Sequence, residues 1–259
     1  MDVRLDGRVI VITGGSQGID GATAHLAAQS GAAGLLLVGR DPAKGETQAK
    51  ALRERGAEVA FLGVDLARPE SPGQVIAAAL DRFGRIDGLV NAAALTDRGD
   101  LVNADPALWE RLFAVNARAP FFLMQGAIRD MLARCAPGVI VNILSVNAYC
   151  GGPDLAVYSA TKGALATLTR NAAHAHLRDR IRVNGIMMGW TSTPGEQVMQ
   201  AQVLGKGDGW EAQAAAGMPL GRLLTPEEVA QVTIFLLSDA SGLMTGALID
   251  LEQRVPGAP

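Results

Sequence analysis

Seven short apolar runs, each closed by turn residues and separated from the next by a longer segment, constrain this chain more than any other feature. The runs cover residues 8–13, 34–39, 57–63, 86–92, 138–144, 180–187 and 247–251, and read as buried strands. Between them, residues 43–55, 72–83, 107–133 and 159–178 carry helical spacing, often with glycine close after the last turn. Such alternation demands parallel strands joined by right-handed crossovers. The expected fold is therefore α/β, a doubly wound parallel sheet of about seven strands in three α/β/α layers. Helix starts agree with it. Asp105 before Pro106 and Thr225 before Pro226 each set a capping side chain ahead of proline at the first helical position, and Glu228 completes a capping box with Thr225.

Composition sets the outer limits. A chain of 259 residues, 49% of them hydrophobic, can bury one large core, and no repeat or linker divides it, so one domain over 1–259 is expected. Residues 190–220, rich in Gly, Gln and Met, form its least regular stretch and read as a substrate loop or mobile lid. A formal charge of −3 without a basic stripe argues against nucleic acid. No apolar run approaches the ~20 residues of a membrane span, and the N-terminus lacks the apolar core of a signal peptide, so a cytoplasmic protein is expected. Cys135 and Cys150 suit a reducing compartment and read as packing residues. His174 and His176 are two apart, hence not on one helix face, and no other cluster suggests a metal.

The string VIVITGGSQGID leads from the first strand into a helix. It places Gly14, Gly15 and Gly18 where the chain must turn tightly and let backbone N–H groups approach a pyrophosphate. Glycines close many such loops for steric reasons alone; the position on the first strand of an alternating chain is what points to a Rossmann-type dinucleotide site. Asp20, in the first helical turn, suits the helix dipole but would repel a diphosphate if it faced one, and it could equally point outward. The second strand ends LLLVGRDP. Gly39 followed by Arg40 leaves space and a guanidinium for a 2′-phosphate, favouring NADP(H) over NAD(H), although Arg40 could also be a solvated residue of a turn in which Asp41 caps the helix.

Ser145 lies just past the strand GVIVNIL, and YSATK puts Tyr158 and Lys162 at i and i+4 on one helix face. A tyrosine with an ordinary pKa near ~10 is a poor base at neutral pH; an adjacent lysine cation is expected to lower it and allow proton exchange with a substrate oxygen. The Ser145 hydroxyl can hydrogen-bond the same oxygen. Alone, the pair could be a surface tyrosine with a lysine lying beside it. Both this group and the glycine turn, however, fall at C-terminal ends of strands, the edge along which open α/β sheets bind ligands.

These motifs together resemble the short-chain dehydrogenase/reductase family over nearly the whole chain. TGGSQGID resembles the family's TGxxxGIG, and YSATK with Ser145 resembles its Ser, Tyr and Lys trio. The resemblance implies an NAD(P)-dependent oxidoreductase that interconverts a secondary alcohol and a ketone, with Tyr158 as acid/base, Ser145 orienting the oxygen and Lys162 holding phenol and nicotinamide ribose. It implies that the Asn116 backbone carbonyl in FAVNARAPFF holds a water behind Lys162. It further implies dinucleotide contacts from Gly14, Ser16, Gln17, Gly18, Ile19, Asp65, Leu66, Asn91, Ala92, Ala93, Gly189, Thr191 and Thr193, and a homotetramer, or a homodimer, built on the long helices carrying Asn116 and Tyr158. Asp20 in place of the third glycine, NAAA in place of NNAG, Met188 in place of proline and LEQ after the last strand mark a divergent member. Thr96, Arg98, Val146, Asn147, Tyr149, Gly152, Trp190, Gln197 and Trp210 are candidates for the pocket of a small alcohol or ketone. Among them Arg98, Asn147, Tyr149 and Trp190 are the substrate contacts put forward. The alternative function is a non-catalytic dinucleotide-binding sensor or a scaffold.

Overall fold

The computed structural model describes residues 3–14 and 17–255. In chain order it contains β1 (Val9–Thr13), α1 (Gly18–Gln29), β2 (Gly34–Gly39), α2 (Pro42–Arg53), β3 (Val59–Gly63), α3 (Ser71–Phe83) and β4 (Gly88–Asn91). There follow α4 (Pro106–Phe113), α5 (Ala119–Ala133), β5 (Gly138–Ile143), α6 (Ala156–Ala175), β6 (Ile181–Met188), α7 (Pro194–Gln197), α8 (Trp210–Ala216), α9 (Pro226–Leu237) and β7 (Leu248–Leu251). The sheet is parallel throughout, in the order β3-β2-β1-β4-β5-β6-β7. The order reverses between β1 and β4, which opens a crevice at their C-terminal ends.

Strand period fixes the two cores. On β1 and β2, Val11, Leu36 and Val38 face one way and join Val75 and Ala79 of α3, Leu123 and Ala127 of α5 and Leu165 of α6. Their neighbours Ile10, Ile12, Leu35 and Leu37 face the other way, against Ala24 and Ala27 of α1, Leu52 of α2 and Val229 and Ile234 of α9. Every strand buried on both sides thus reads as a continuous apolar run.

Two expectations need correction. The helix expected over 107–133 is broken at Ala114–Arg118 into a π-helical turn between α4 and α5. Pro120 is the local cause, since it has no N–H for the carbonyl four residues back, that of Asn116. Cys135 and Cys150 are free and exposed rather than packed.

Candidate active site

Ser145 lies two residues past the end of β5, and Tyr158 and Lys162 sit one turn apart on α6; all three are buried. Burial pushes the Tyr158 phenol up to about 12, against a hydrogen bond from Ser145 that draws it down; the Glu196 carboxylate raises it and the Arg98 guanidinium lowers it. Burial also pushes Lys162 down to about 8. The Lys162 ammonium donates to the Ile143 carbonyl at 2.7 Å, and its Nζ stands 5.8 Å from the Tyr158 ring centroid. The lowering of Tyr158 expected from the lysine does not appear: desolvation by burial is the largest influence on the phenol, and it raises it. At neutral pH the phenol carries its proton and is poised to donate it.

Asn116 is buried in the π-helical turn, and its side chain is fully engaged. Oδ1 accepts from Leu95 N at 2.8 Å, while Nδ2 donates to Leu95 O at 2.9 Å and to Thr161 Oγ1 at 3.1 Å. Thr161 Oγ1 in turn donates to the Tyr158 carbonyl at 2.7 Å. The amide thus ties the segment after β4 to α6, so any role in proton movement falls to the Asn116 carbonyl.

One cleft of about 1240 Å³ runs along the C-terminal edge of the sheet. Gly14, Gln17, Gly18, Ile19, Arg40, Asp65, Leu66, Ala92, Ala93, Gly189, Thr191 and Thr193 line it together with Ser145, Tyr158 and Lys162. Ser16 and Gly15 lie outside the described residues. Asn91 does not line the cleft: it is buried, and its Nδ2 donates to Asn142 Oδ1 at 2.8 Å within the sheet.

The residues present fit a dinucleotide. Gly14 (φ +92°) and Gly18 (φ +65°) hold left-handed conformations, and a β-carbon on Gly14 would lie 2.6 Å from Asp20 Oδ2. Only glycine lets the turn close there. Gln17 at the N-cap of α1 makes no side-chain cap and lines the cleft with Gly18 and Ile19, so the positive end of the helix dipole faces it. Asp20 turns inward, lining the cleft with its carboxylate against Gly14, which settles the direction left open by the sequence. Asp41 accepts from Ala43 N and Lys44 N as the cap of α2, leaving the exposed Arg40 on the cleft wall.

At the far end, Thr96, Arg98, Val146, Asn147 and Trp190 line the cleft. Tyr149 does not; its hydroxyl donates to Asp250 Oδ1 at 2.8 Å on the surface. Gly152 and Gln197 also stand outside it, and Trp210 is buried beside Trp190, with ring centroids 6.0 Å apart and its Nε1 donating to Gln197. The stretch 190–220 is more ordered than its composition suggests, holding α7, a π-helical turn at Val198–Val203 and α8. Reasoning from sequence missed Glu196, Gln200 and Lys206, which that stretch brings into the cleft. Thr193-Pro-Gly-Glu196 was a legible capping pattern, but nothing in it told that the glutamate would turn inward.

The profile of a family described as enoyl-(acyl carrier protein) reductase matches residues 14–252. The chain is 38% identical to 2-(S)-hydroxypropyl-CoM dehydrogenase 3 of Xanthobacter autotrophicus, over 97% of this chain and 98% of that protein. It is 35% identical to cis-4-hydroxycyclohexanecarboxylate dehydrogenase of Sinomonas cyclohexanicum, over 95% of each. Among solved structures it is similar to L-sorbose reductase from Gluconobacter frateurii, complexed with NADPH and L-sorbose, with a TM-score of 0.93, 30% identity and full coverage of both chains.

Proposed function

This chain belongs to the short-chain dehydrogenase/reductase family and is an oxidoreductase acting on CH–OH groups, and from that premise we propose that Tyr158 is its proton donor and acceptor. The observation that carries the assignment is the burial of Ser145, Tyr158 and Lys162 together in the same cleft that Gly14, Gly18 and Arg40 line. When bound, a reduced nicotinamide supplies the hydride that adds to the carbonyl carbon. Tyr158 Oη gives its proton to the carbonyl oxygen while the Ser145 hydroxyl hydrogen-bonds that oxygen and holds its orientation. Lys162 holds the nicotinamide ribose, and the Asn116 carbonyl, left without an α-helical partner by Pro120, anchors the water that returns a proton toward Lys162.

NADP(H) is the favoured dinucleotide, with NAD(H) as the weaker alternative. Arg40 and the absence of a carboxylate at Gly39 support this, as does the NADPH bound by L-sorbose reductase. The adenine packs by Asp65 and Leu66, and the segment Gly189, Thr191 and Thr193 meets the nicotinamide. The stretch 190–220 is the substrate loop, and the whole chain acts as one domain. A homotetramer, or a homodimer, assembles through the helices that carry Asn116 and Tyr158; exposed Trp109, Phe121 and Phe122 on α4 and α5 support this. The free, exposed thiols favour a cytoplasmic location.

Tyr158→Phe tests the assignment. Turnover with NADPH and a ketone panel should fall by roughly 10³-fold while NADPH still binds, read by nicotinamide fluorescence. Turnover retained in the variant would remove Tyr158 from the chemistry.

A further inference from the structure

Arg98 enters the substrate end of the cleft already flanked by two carboxylates. Its Nε lies 3.2 Å from Asp154 Oδ2 and its Nη2 3.9 Å from Glu196 Oε1, the three side chains being 19%, 57% and 15% exposed. Nη1 donates to the Thr96 carbonyl at 2.7 Å. Nε is buried without an aligned hydrogen bond despite its closeness to Asp154, and 3.9 Å is too long for one at Nη2. Glu196 is not free to swing away. Its Oε1 accepts from Trp190 Nε1 at 2.9 Å and from Gln200 Nε2 at 2.6 Å.

Within 4 Å of the Arg98 guanidinium the count is therefore one cation to two anions. Lys162, Lys206 and Arg254 also line the cleft, but they donate to the Ile143 carbonyl at 2.7 Å, to Gln200 Oε1 at 2.6 Å and to the Gly217 carbonyl at 2.7 Å rather than to Asp154 or Glu196, while Glu252 adds a further carboxylate to the wall. An entering carboxylate or sulfonate would be a third anion around Arg98, in a partly buried space where water screens poorly. A hydroxyl meets the opposite situation, because it can accept from the unaligned Arg98 donors and donate to Asp154 or Glu196. We propose that the substrate is an uncharged hydroxyketone, or a polyol in the reverse direction, and that Arg98, Asp154 and Glu196 select it by pairing with a hydroxyl close to the reacting carbon. The proposal rests on the oxidoreductase reading and narrows it.

Matched substrates test it: hydroxyacetone against pyruvate, a ketohexose against the keto-aldonate of the same length, and cyclohexanone, which carries neither group, each reduced with NADPH. For the intact protein kcat/KM should favour the uncharged member of each pair by about tenfold or more. Glu196→Gln removes one anion and should narrow that ratio by about tenfold; Asp154→Asn, at a half-exposed side chain, serves if the first variant does not fold. A preference for the keto acids overturns the proposal, as does an unchanged ratio in a folded variant. Turnover of cyclohexanone with none of the hydroxyketones overturns it while leaving the oxidoreductase reading intact. NADPH binding without turnover of any ketone strikes that reading instead, and the proposal falls with it.

Discussion

Burial acts on Tyr158 and Lys162 in opposite electrical senses, and the consequences are measurable. Lys162 is pushed from 10.5 to about 8, so below pH 8 the folded protein carries a buried ammonium that the unfolded chain would hold in water. That cost is full below pH 8 and fades as pH rises toward 10.5, where the unfolded lysine also loses its proton. Tyr158 is neutral in both states below pH 10; as the unfolded phenol ionises first, stability falls as pH rises from 10 to about 12, and the loss stays full above that. Lys162→Met should therefore abolish turnover yet raise stability at pH 7 by about 1–3 kcal/mol, read by denaturant unfolding. A less stable variant would contradict the burial account. Alcohol oxidation, which needs the phenolate, should gain in kcat/KM from pH 7 to 10 while ketone reduction stays level until the pH nears 12, and an oxidation profile flat from pH 7 to 10 would argue against Tyr158 as the titrating group. Asp20 belongs to the same scale. Its inward carboxylate lines the cleft at the N-terminus of α1, where the proposed dinucleotide would place its diphosphate, so Asp20→Gly should tighten NADPH binding by about fivefold in a fluorescence titration; unchanged affinity would mean that the carboxylate does not face the bound phosphates.

Among the elements, the join of α4 and α5 carries a local defect at the residue proposed to anchor a water. Pro120 withholds an N–H from the Asn116 carbonyl, and the ladder passes through the π-helical turn at Ala114–Arg118. Pro120→Ala restores the missing donor. The variant should gain stability, by about 1 kcal/mol, and lose kcat several-fold with little change in NADPH affinity; undiminished kcat would detach the Asn116 carbonyl from proton movement. Two helix starts with one sequence pattern diverge in an instructive way. At α9, Thr225 and Glu228 cap reciprocally, with Arg222 beside the glutamate holding its carboxyl at about 2. At α7, Thr193 caps Glu196 N in the same way, but the Glu196 carboxylate turns to Trp190 and Gln200 instead. Local capping chemistry permits both outcomes; the neighbouring donors choose.

For the whole molecule, the outer faces of α4 and α5 carry Trp109, Phe121 and Phe122 at 46%, 43% or less exposure, too apolar for surfaces meant only for water. Phe122→Glu should shift the protein toward smaller assemblies by light scattering, and a monomeric parent protein would end the oligomer proposal. The parallel sheet, its strands and the positions of Ser145, Tyr158 and Lys162 were legible in the chain because they follow from short-range rules: apolar runs, glycine at a left-handed turn, and i, i+4 spacing on one helix. What the chain left undecided was every matter settled by neighbours distant in sequence. Tyr149 reached Asp250 rather than the cleft, Asn91 turned to Asn142, Asp20 folded inward against Gly14, and Glu196 came to face Arg98 across the substrate end. A side chain's direction, and the burial that moved Tyr158 upward where a neighbouring cation was expected to move it down, depend on what the fold packs around it, and periodicity carries no record of that.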